Sequence, residues 1–217
     1  MPDFALRRTT MVDTQVRPSD VTKFPIIAAM LAVPREAYVP VDLREAAYLG
    51  ENLSIGPGRV LLDPRTLAKM LDALDIQPGE MVLILGAGLG YSAAVIARLA
   101  EAVIAVEEDP GLAAEAERTL SAEGVDNAVL MTGALAAGAA KHGPYDVIVI
   151  DGGVEDVPAP ILAQLKDGGR IGALTMAQGV GVVRIGIRRA GAMSWRHAFN
   201  AAAPVLPGFG RARAFTL

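Results

Sequence analysis

Met81-Val-Leu-Ile-Leu-Gly-Ala-Gly-Leu-Gly-Tyr91 is the stretch from which the fold is read. Val82 to Leu85 are uniformly apolar, the pattern of a short strand buried on both faces. Gly86, Gly88 and Gly90, with Ala87 inside the motif, then predict a tight turn. Glycine adopts φ > 0 there without strain, and without a side chain it lets a ligand approach the backbone. Ser92 to Ala100, rich in Ala and Leu, follows as a helix. Strand, glycine turn and helix make the first half of a nucleotide-binding βαβ unit. The next strand, Ala102 to Val106, ends in Glu107-Glu108-Asp109. A carboxylate at that point, about 20 residues beyond the glycines, is placed to accept from ribose hydroxyls. The competing reading is a bare glycine turn and an acidic helix start favoured by the helix dipole. Glu108 and Asp109 suit that reading better than Glu107 does.

Outward from this unit the alternation continues. Pro110 to Glu123 predicts a helix and Ala128 to Met131 a third strand, followed by Thr132-Gly133. Tyr145 to Ile150 predicts a fourth strand ending in Asp151-Gly152, and Pro158 to Leu165 a short helix. Gly168 to Thr175 predicts a fifth strand. The pattern then changes: Val180 to Arg189 and Met193 to Phe199 read as an antiparallel hairpin, with 212–217 as a last edge segment. Upstream, Asp63 caps a predicted helix Pro64 to Leu74 with proline at its first position. Ile55 to Pro64 reads as a loop with little room for regular structure. Residues 1–50 predict a short helix stopped near Pro18, a second over Val21 to Leu31 kinked at Pro25, and one or two helical turns over Leu43 to Leu49. Together these suggest a helical cap over one edge of the sheet. The expectation is a single domain, 1–217, with the cap and a substrate-side loop in 1–58 and the nucleotide-binding core in 59–217.

Composition narrows the chemistry. The chain has 217 residues, 52% of them hydrophobic and 20% charged, enough apolar material for a large core. A net charge of -4 argues against non-specific nucleic-acid binding. No cysteine is present, which excludes disulfides, thiolate metal sites and cysteine nucleophiles. The two histidines, His142 and His197, are far apart and give no basis for a metal site. The N-terminus lacks the apolar run of a signal peptide, and no stretch approaches the ~20 apolar residues of a membrane span. A cytoplasmic protein without membrane or nucleic-acid partners is expected.

Five βα steps closed by a hairpin differ from the paired βαβαβ halves of nicotinamide enzymes. The arrangement is the one associated with class I S-adenosylmethionine (SAM) methyltransferases. The expected fold is therefore α/β and Rossmann-like: a mostly parallel sheet, helices on both faces, an antiparallel C-terminal hairpin and an N-terminal helical cap. No Tyr-Lys pair or histidine stands where a dehydrogenase would need a proton donor.

Three stretches carry a more specific likeness: Leu31-Ala-Val-Pro-Arg-Glu-Ala-Tyr-Val-Pro40 with Ala46-Ala-Tyr-Leu-Gly50, Leu53-Ser-Ile-Gly-Pro-Gly-Arg-Val-Leu-Leu-Asp-Pro64, and Val82 to Ala97. Gly143-Pro-Tyr-Asp-Val-Ile-Val-Ile150, Val157-Pro158 and Leu162 to Arg170 extend it. In order and spacing the chain, over about residues 30 to 175, resembles the protein-L-isoaspartate O-methyltransferase family. The resemblance implies transfer of the SAM methyl group to the α-carboxylate of isoaspartyl residues in damaged proteins, leaving S-adenosyl-L-homocysteine. It implies that Gly86, Ala87, Gly88 and Gly90 pass under the methionine part of SAM, and that Glu107, with Glu108 beside it, holds the ribose. It places Gly133, Ala134 and Leu135 along the adenine, Asp151 near the cofactor, and Val60-Leu61-Leu62 between cofactor and acceptor. The chain departs from the family at several positions. Leu62 replaces a serine that faces the acceptor carboxylate, and Ala134 an aspartate that accepts from adenine. Leu135 replaces a glycine and Ile84 an acidic residue. Arg65 stands where histidine is frequent, and its two-pronged guanidinium suits a carboxylate. The departures leave two alternatives open: a non-catalytic SAM-binding homologue serving as a sensor or interaction module, and a methyltransferase with another acceptor.

Overall fold

The computed structural model describes residues 3–211. Two strands, β1 (Leu53–Gly56) and β2 (Arg59–Leu61), form a small hairpin. The main sheet contains β3 (Met81–Leu85), β4 (Ala102–Glu107), β5 (Ala128–Thr132), β6 (Tyr145–Val154), β7 (Leu165–Ala177), β8 (Val180–Arg189) and β9 (Ala192–Asn200). They lie in the order β5-β4-β3-β6-β7-β8-β9. The first five in that row are parallel; β8 and β9 each pair antiparallel to the strand before. The parallel sheet, the hairpin and the α/β alternation match the sequence expectation.

The unbroken apolar run of β3 follows from its central place. Val82 and Ile84 join one apolar layer with Val103, Ala105, Val147 and Val149. Leu83 and Leu85 point into the other, with Ile104, Val106, Ile148 and Ile150. Both faces are dry, so no polar alternation survives. The first layer is covered by α3 (Pro64–Leu74), α4 (Tyr91–Ala97) and α5 (Pro110–Ala122). Asp63 caps α3 by accepting from the Thr66 amide at 2.9 Å, and Asp109 caps α5 by accepting from the Gly111 and Leu112 amides. The second face carries less helix than expected. It is covered by the four-residue α6 (Ala159–Leu162), the turn at Leu135, and Leu206 and Phe209 from the segment after β9.

The N-terminal cap differs from expectation in detail. It begins with α1 (Phe4–Met11), continues as a π-helical stretch (Val12–Val16) and a 3-10 turn (Arg17–Ser19), ending near Pro18 as expected, and resumes in α2 (Phe24–Ala32). Pro25 starts α2 instead of kinking it, because a first-turn proline forfeits no helical hydrogen bond. Met11, Val16, Ile26 and Met30 belong to the same apolar cluster as Val82 and Ile84, and the cap packs against α3 and α4. It is pinned to the 3-10 turns Arg35–Tyr38 and Val41–Ala46: Arg8 pairs with Glu36 and donates to the Tyr48 hydroxyl at 3.0 Å, that hydroxyl also donates to Glu36, and Arg7 pairs with Glu45 at 2.7 Å. The loop expected over Ile55 to Pro64 holds the β1–β2 hairpin, turned at Pro57-Gly58 with Gly58 at φ +66°. The expected boundary at 58/59 therefore falls inside a hairpin. The predicted edge segment 212–217 lies outside the described residues. Among the described residues, no helix is long and apolar enough to cross a membrane.

Candidate active site

The order of the sheet reverses between β3 and β6. Connections from β3 run through β4 to β5, and the chain then returns to the opposite side of β3 as β6. In open α/β sheets ligands bind in the crevice beyond the carboxyl ends of the strands at such a point. The crevice here is built from the glycine turn after β3, Glu107 at the end of β4, and Asp151-Gly152 in β6. Gly86 and Gly88 have φ +86° and +56°, which explains why glycine stands at both. The Gly86 and Ala87 amides donate to the Val106 carbonyl at 2.9 and 3.2 Å, locking the turn against β4.

Glu107 is fully buried. Its two oxygens accept five hydrogen bonds. The Arg59 guanidinium donates to both, at 2.5 and 2.6 Å. The Gly88 amide donates at 2.7 Å, and the Glu108 and Asp109 amides at 2.9 and 3.0 Å. A carboxylate offers about four lone-pair sites, so its accepting capacity is spent inside the protein. Arg59 reaches it from β2 and is itself buried, only 6% exposed. Glu108 is exposed, and the Asp109 side chain is used as the α5 cap.

The rest of the crevice is filled by two apolar side chains. A Cβ on Gly86 would stand 2.9 Å from Cδ1 of Leu206, and one on Gly152 2.6 Å from its Cγ. A Cβ on Gly88 would meet Ile55 at 2.6 Å. Leu206 is held there by the returning chain: the Gly153 amide donates to the Pro204 carbonyl, the Leu206 amide to the Gly153 carbonyl and the Glu155 amide to the Phe209 carbonyl, each at 2.9 Å. The glycines, Glu107 and the switch-point crevice are of the right kind for an adenosyl cofactor. The space and the ribose acceptor are held by Leu206 and Arg59.

Asp151 sits where β6 bulges: Val149 and Gly153 pair with Gly172 and Leu174, so four steps on β6 match two on β7. Burial pushes its carboxyl up to about 6, against the pull of the Ser92 hydroxyl and the nearby guanidinium groups of Arg59 and Arg35. The Ser92 hydroxyl is buried, with no hydrogen bond of normal geometry among the described residues. In the unfolded chain Asp151 ionises near 3.8. The native state therefore binds the extra proton between about pH 4 and 6, and stability falls as pH rises through that window. Asp151→Asn is expected to flatten the slope and to raise stability at pH 7 by about 2–3 kcal/mol. Urea unfolding of both proteins at pH 4.5 and pH 7 (roughly either side of most of that window) checks this; equal pH dependence would contradict it.

Leu62 is buried in the apolar layer, 1% exposed. Its carbonyl accepts from Nη2 of Arg35 at 2.7 Å, and Nε of Arg35 donates to the Ala47 carbonyl at 2.7 Å. The Arg35 guanidinium lies 4.7 Å from the centroid of the Tyr91 ring. Burial lowers its pKa, against the opposing pull of Tyr91. Leu61 is also buried, facing the same layer. Arg65 is exposed, with its guanidinium 5.7 Å from the centroid of Phe199 in β9. Gly133 donates its amide to the Glu107 carbonyl at 3.0 Å, Ala134 is exposed, and the Leu135 side chain is fully buried in the second apolar layer. The structure thus brings Gly86, Gly88, Glu107, Asp151 and the Gly133 backbone to one crevice and leaves Arg65 over the hairpin. Sequence reasoning missed Arg59, Arg35 and Leu206. The first two lie inside the quoted family-like stretches, where an arginine among apolar residues was the available signal; Leu206 carried none.

Comparison with known proteins decides the family. Residues 7–178 match the model of the family described as Protein-L-isoaspartate(D-aspartate) O-methyltransferase. The chain belongs to this family. Among relatives in the protein-L-isoaspartate O-methyltransferase family, one from Syntrophus aciditrophicus is 37% identical over 171 residues, 79% of this chain and 78% of the relative. One from Pelobacter propionicus is 36% identical over 194 residues, 88% and 84% of the two chains. A solved protein-L-isoaspartate O-methyltransferase superposes with a TM-score of 0.83 at 23% identity, covering 94% of this chain and 67% of that one. A second, from Plasmodium falciparum and described in complex with S-adenosyl-L-homocysteine, gives a TM-score of 0.80 at 17% identity, covering 92% and 97%. Both likenesses bear out the fold. This protein-L-isoaspartate O-methyltransferase family member carries the Gly86–Gly90 turn after β3, Glu107 at the end of β4 and a leucine at position 62.

Proposed function

We propose that the chain transfers a methyl group from SAM to the carboxylate of isoaspartyl residues in damaged proteins. Family membership over residues 7–178 is the observation that carries this reading. Bound at the switch-point crevice, SAM supplies an electrophilic methyl group on a sulfonium. The chain's own part is to orient and to exclude water. In this reading the Gly86–Gly90 backbone, with Ala87, runs under the cofactor, Glu107 accepts from the ribose, and Gly133, Ala134 and Leu135 flank the base. Glu108 is exposed beside the ribose position, and Asp151 borders the crevice. Leu61 and Leu62 form an apolar wall towards the acceptor. A carboxylate nucleophile needs in-line placement and desolvation more than a strong base, so the absence of a histidine or cysteine dyad is compatible with the chemistry. The acceptor-binding role of Arg65 draws no support from its place over Phe199. Residues 1–217 are taken as one domain, supported by an apolar layer that runs from Met11 to Ala203, and the protein as cytoplasmic.

A second reading is favoured by one observation: both oxygens of Glu107 are already paired within the chain. It is a member of the family that keeps the fold without the transfer. The deciding experiment is transfer from labelled SAM to an isoaspartyl peptide, with the aspartyl peptide as control. Selective labelling of the isoaspartyl peptide is expected. Labelling of neither peptide at saturating SAM would favour the second reading, and equal labelling of both a different acceptor.

A further inference from the structure

The crevice and its acidic residue are both taken by the chain itself, from two directions that are far apart in sequence. We infer that Arg59 and Leu206 act as internal competitors for the cofactor, so that SAM binds only when the guanidinium leaves Glu107 and the 203–209 segment lifts from the glycine turn. The inference rests on the reading that this crevice takes SAM. It goes beyond it in naming the residues that set the affinity.

The argument is one of exchange. Ribose hydroxyls are neutral donors, and they compete for Glu107 with a charged, two-pronged one. Charge-assisted bonds are roughly twice as strong as neutral ones, and the Arg59 fork is already aligned and dry. The three backbone amides on Glu107 do not need to move, since they come from the glycine turn and the start of α5. Arg59 is therefore the partner that a ribose displaces. Leu206 is a second, independent obstacle. It packs against Gly86 and Gly152, the two glycines whose lack of a side chain opens the crevice floor. Its segment is tied to β6 by a few backbone hydrogen bonds and one isolated bridge, Gly153 to Val205. When the binding-competent state is only a fraction of the population, apparent affinity falls by that fraction. Removing either competitor raises the fraction. SAM carries a sulfonium charge that S-adenosylhomocysteine lacks, so it gains more from the removal of a guanidinium charge beside the glycine turn.

The test is calorimetric titration of wild type, Arg59→Gln and Leu206→Ala with SAM and with S-adenosylhomocysteine, each protein first shown to be folded by circular dichroism. Labelled methyl transfer to the isoaspartyl peptide is measured in parallel. Tenfold or greater tightening in both variants is expected, with the larger gain for SAM in Arg59→Gln. Leu206→Ala leaves the ion pair untouched and keeps the test decisive where Arg59→Gln unfolds. Transfer by the wild type, with affinities in the variants equal to or weaker than its own, overturns the inference and leaves the functional reading standing. Tighter binding without transfer in any protein upholds the inference and overturns the transfer reading. Absence of binding in all folded proteins overturns both.

Discussion

Glu107→Gln is expected to destabilise the protein by about 3–5 kcal/mol, the usual cost of leaving a buried charge without its partner. The isosteric change is severe because every group facing Glu107 is a donor. Arg59 and the amides of Gly88, Glu108 and Asp109 all point hydrogens at the two oxygens. A glutamine offers one accepting oxygen and turns an NH2 group towards the remaining donors. The Arg59 charge is then buried without compensation. The double variant Arg59→Gln/Glu107→Gln is expected to recover about 2 kcal/mol of the loss, since it removes both charges together. Urea unfolding of the two single variants and the double one measures the coupling. Additive losses would show that the pair contributes nothing as a pair.

Arg35→Ala is expected to cost a similar amount, about 3–5 kcal/mol, for a different reason. Among the described residues no carboxylate pairs with Arg35; its fork ties two carbonyls, those of Ala47 and Leu62, and its face covers Tyr91. Truncation orphans both carbonyls and opens a large void at a fully buried position. The damage is directed at β2, whose outgoing chain carries Leu62 into α3. Arg35→Lys keeps the charge but presents one point donor in place of a planar fork, and is expected to regain less than half of the loss. Equilibrium unfolding reads both; a loss under about 1 kcal/mol for Arg35→Ala, the worth of one ordinary hydrogen bond, would show that the carbonyls find other donors.

The sheet was legible because its strands obey local rules. β3, β4 and β6 are apolar runs without interruption, and the hairpin β8–β9 is marked by a glycine turn at Gly191, with φ +78°. Asp63 announced α3 because an N-cap is a local device. The second face was harder to read: α6 is four residues long, and the 201–209 segment has no periodicity to betray that Leu206 and Phe209 enter the core. At the site, Glu107 was legible from its distance to the glycines. Its partner was not, because Arg59 meets it through a hairpin that the turn-rich sequence disguised as loop. Arg65 drew attention because the resembled family often has histidine there and a guanidinium suits a carboxylate, yet from the start of α3 its side chain lies over Phe199.

The Arg59–Glu107 pair also constrains how this sequence can drift. The two residues are 48 positions apart, and a change at either alone leaves a buried charge unmatched. That step consumes several kcal/mol of a total stability that is typically about 5–15. Lineages descending from such a chain therefore keep both residues or exchange both at once, and a hydrophobic or neutral residue at 59 should be inherited together with relief of the crowding at 107. The ancestry of the crevice is written jointly at the two positions and cannot be read from either one.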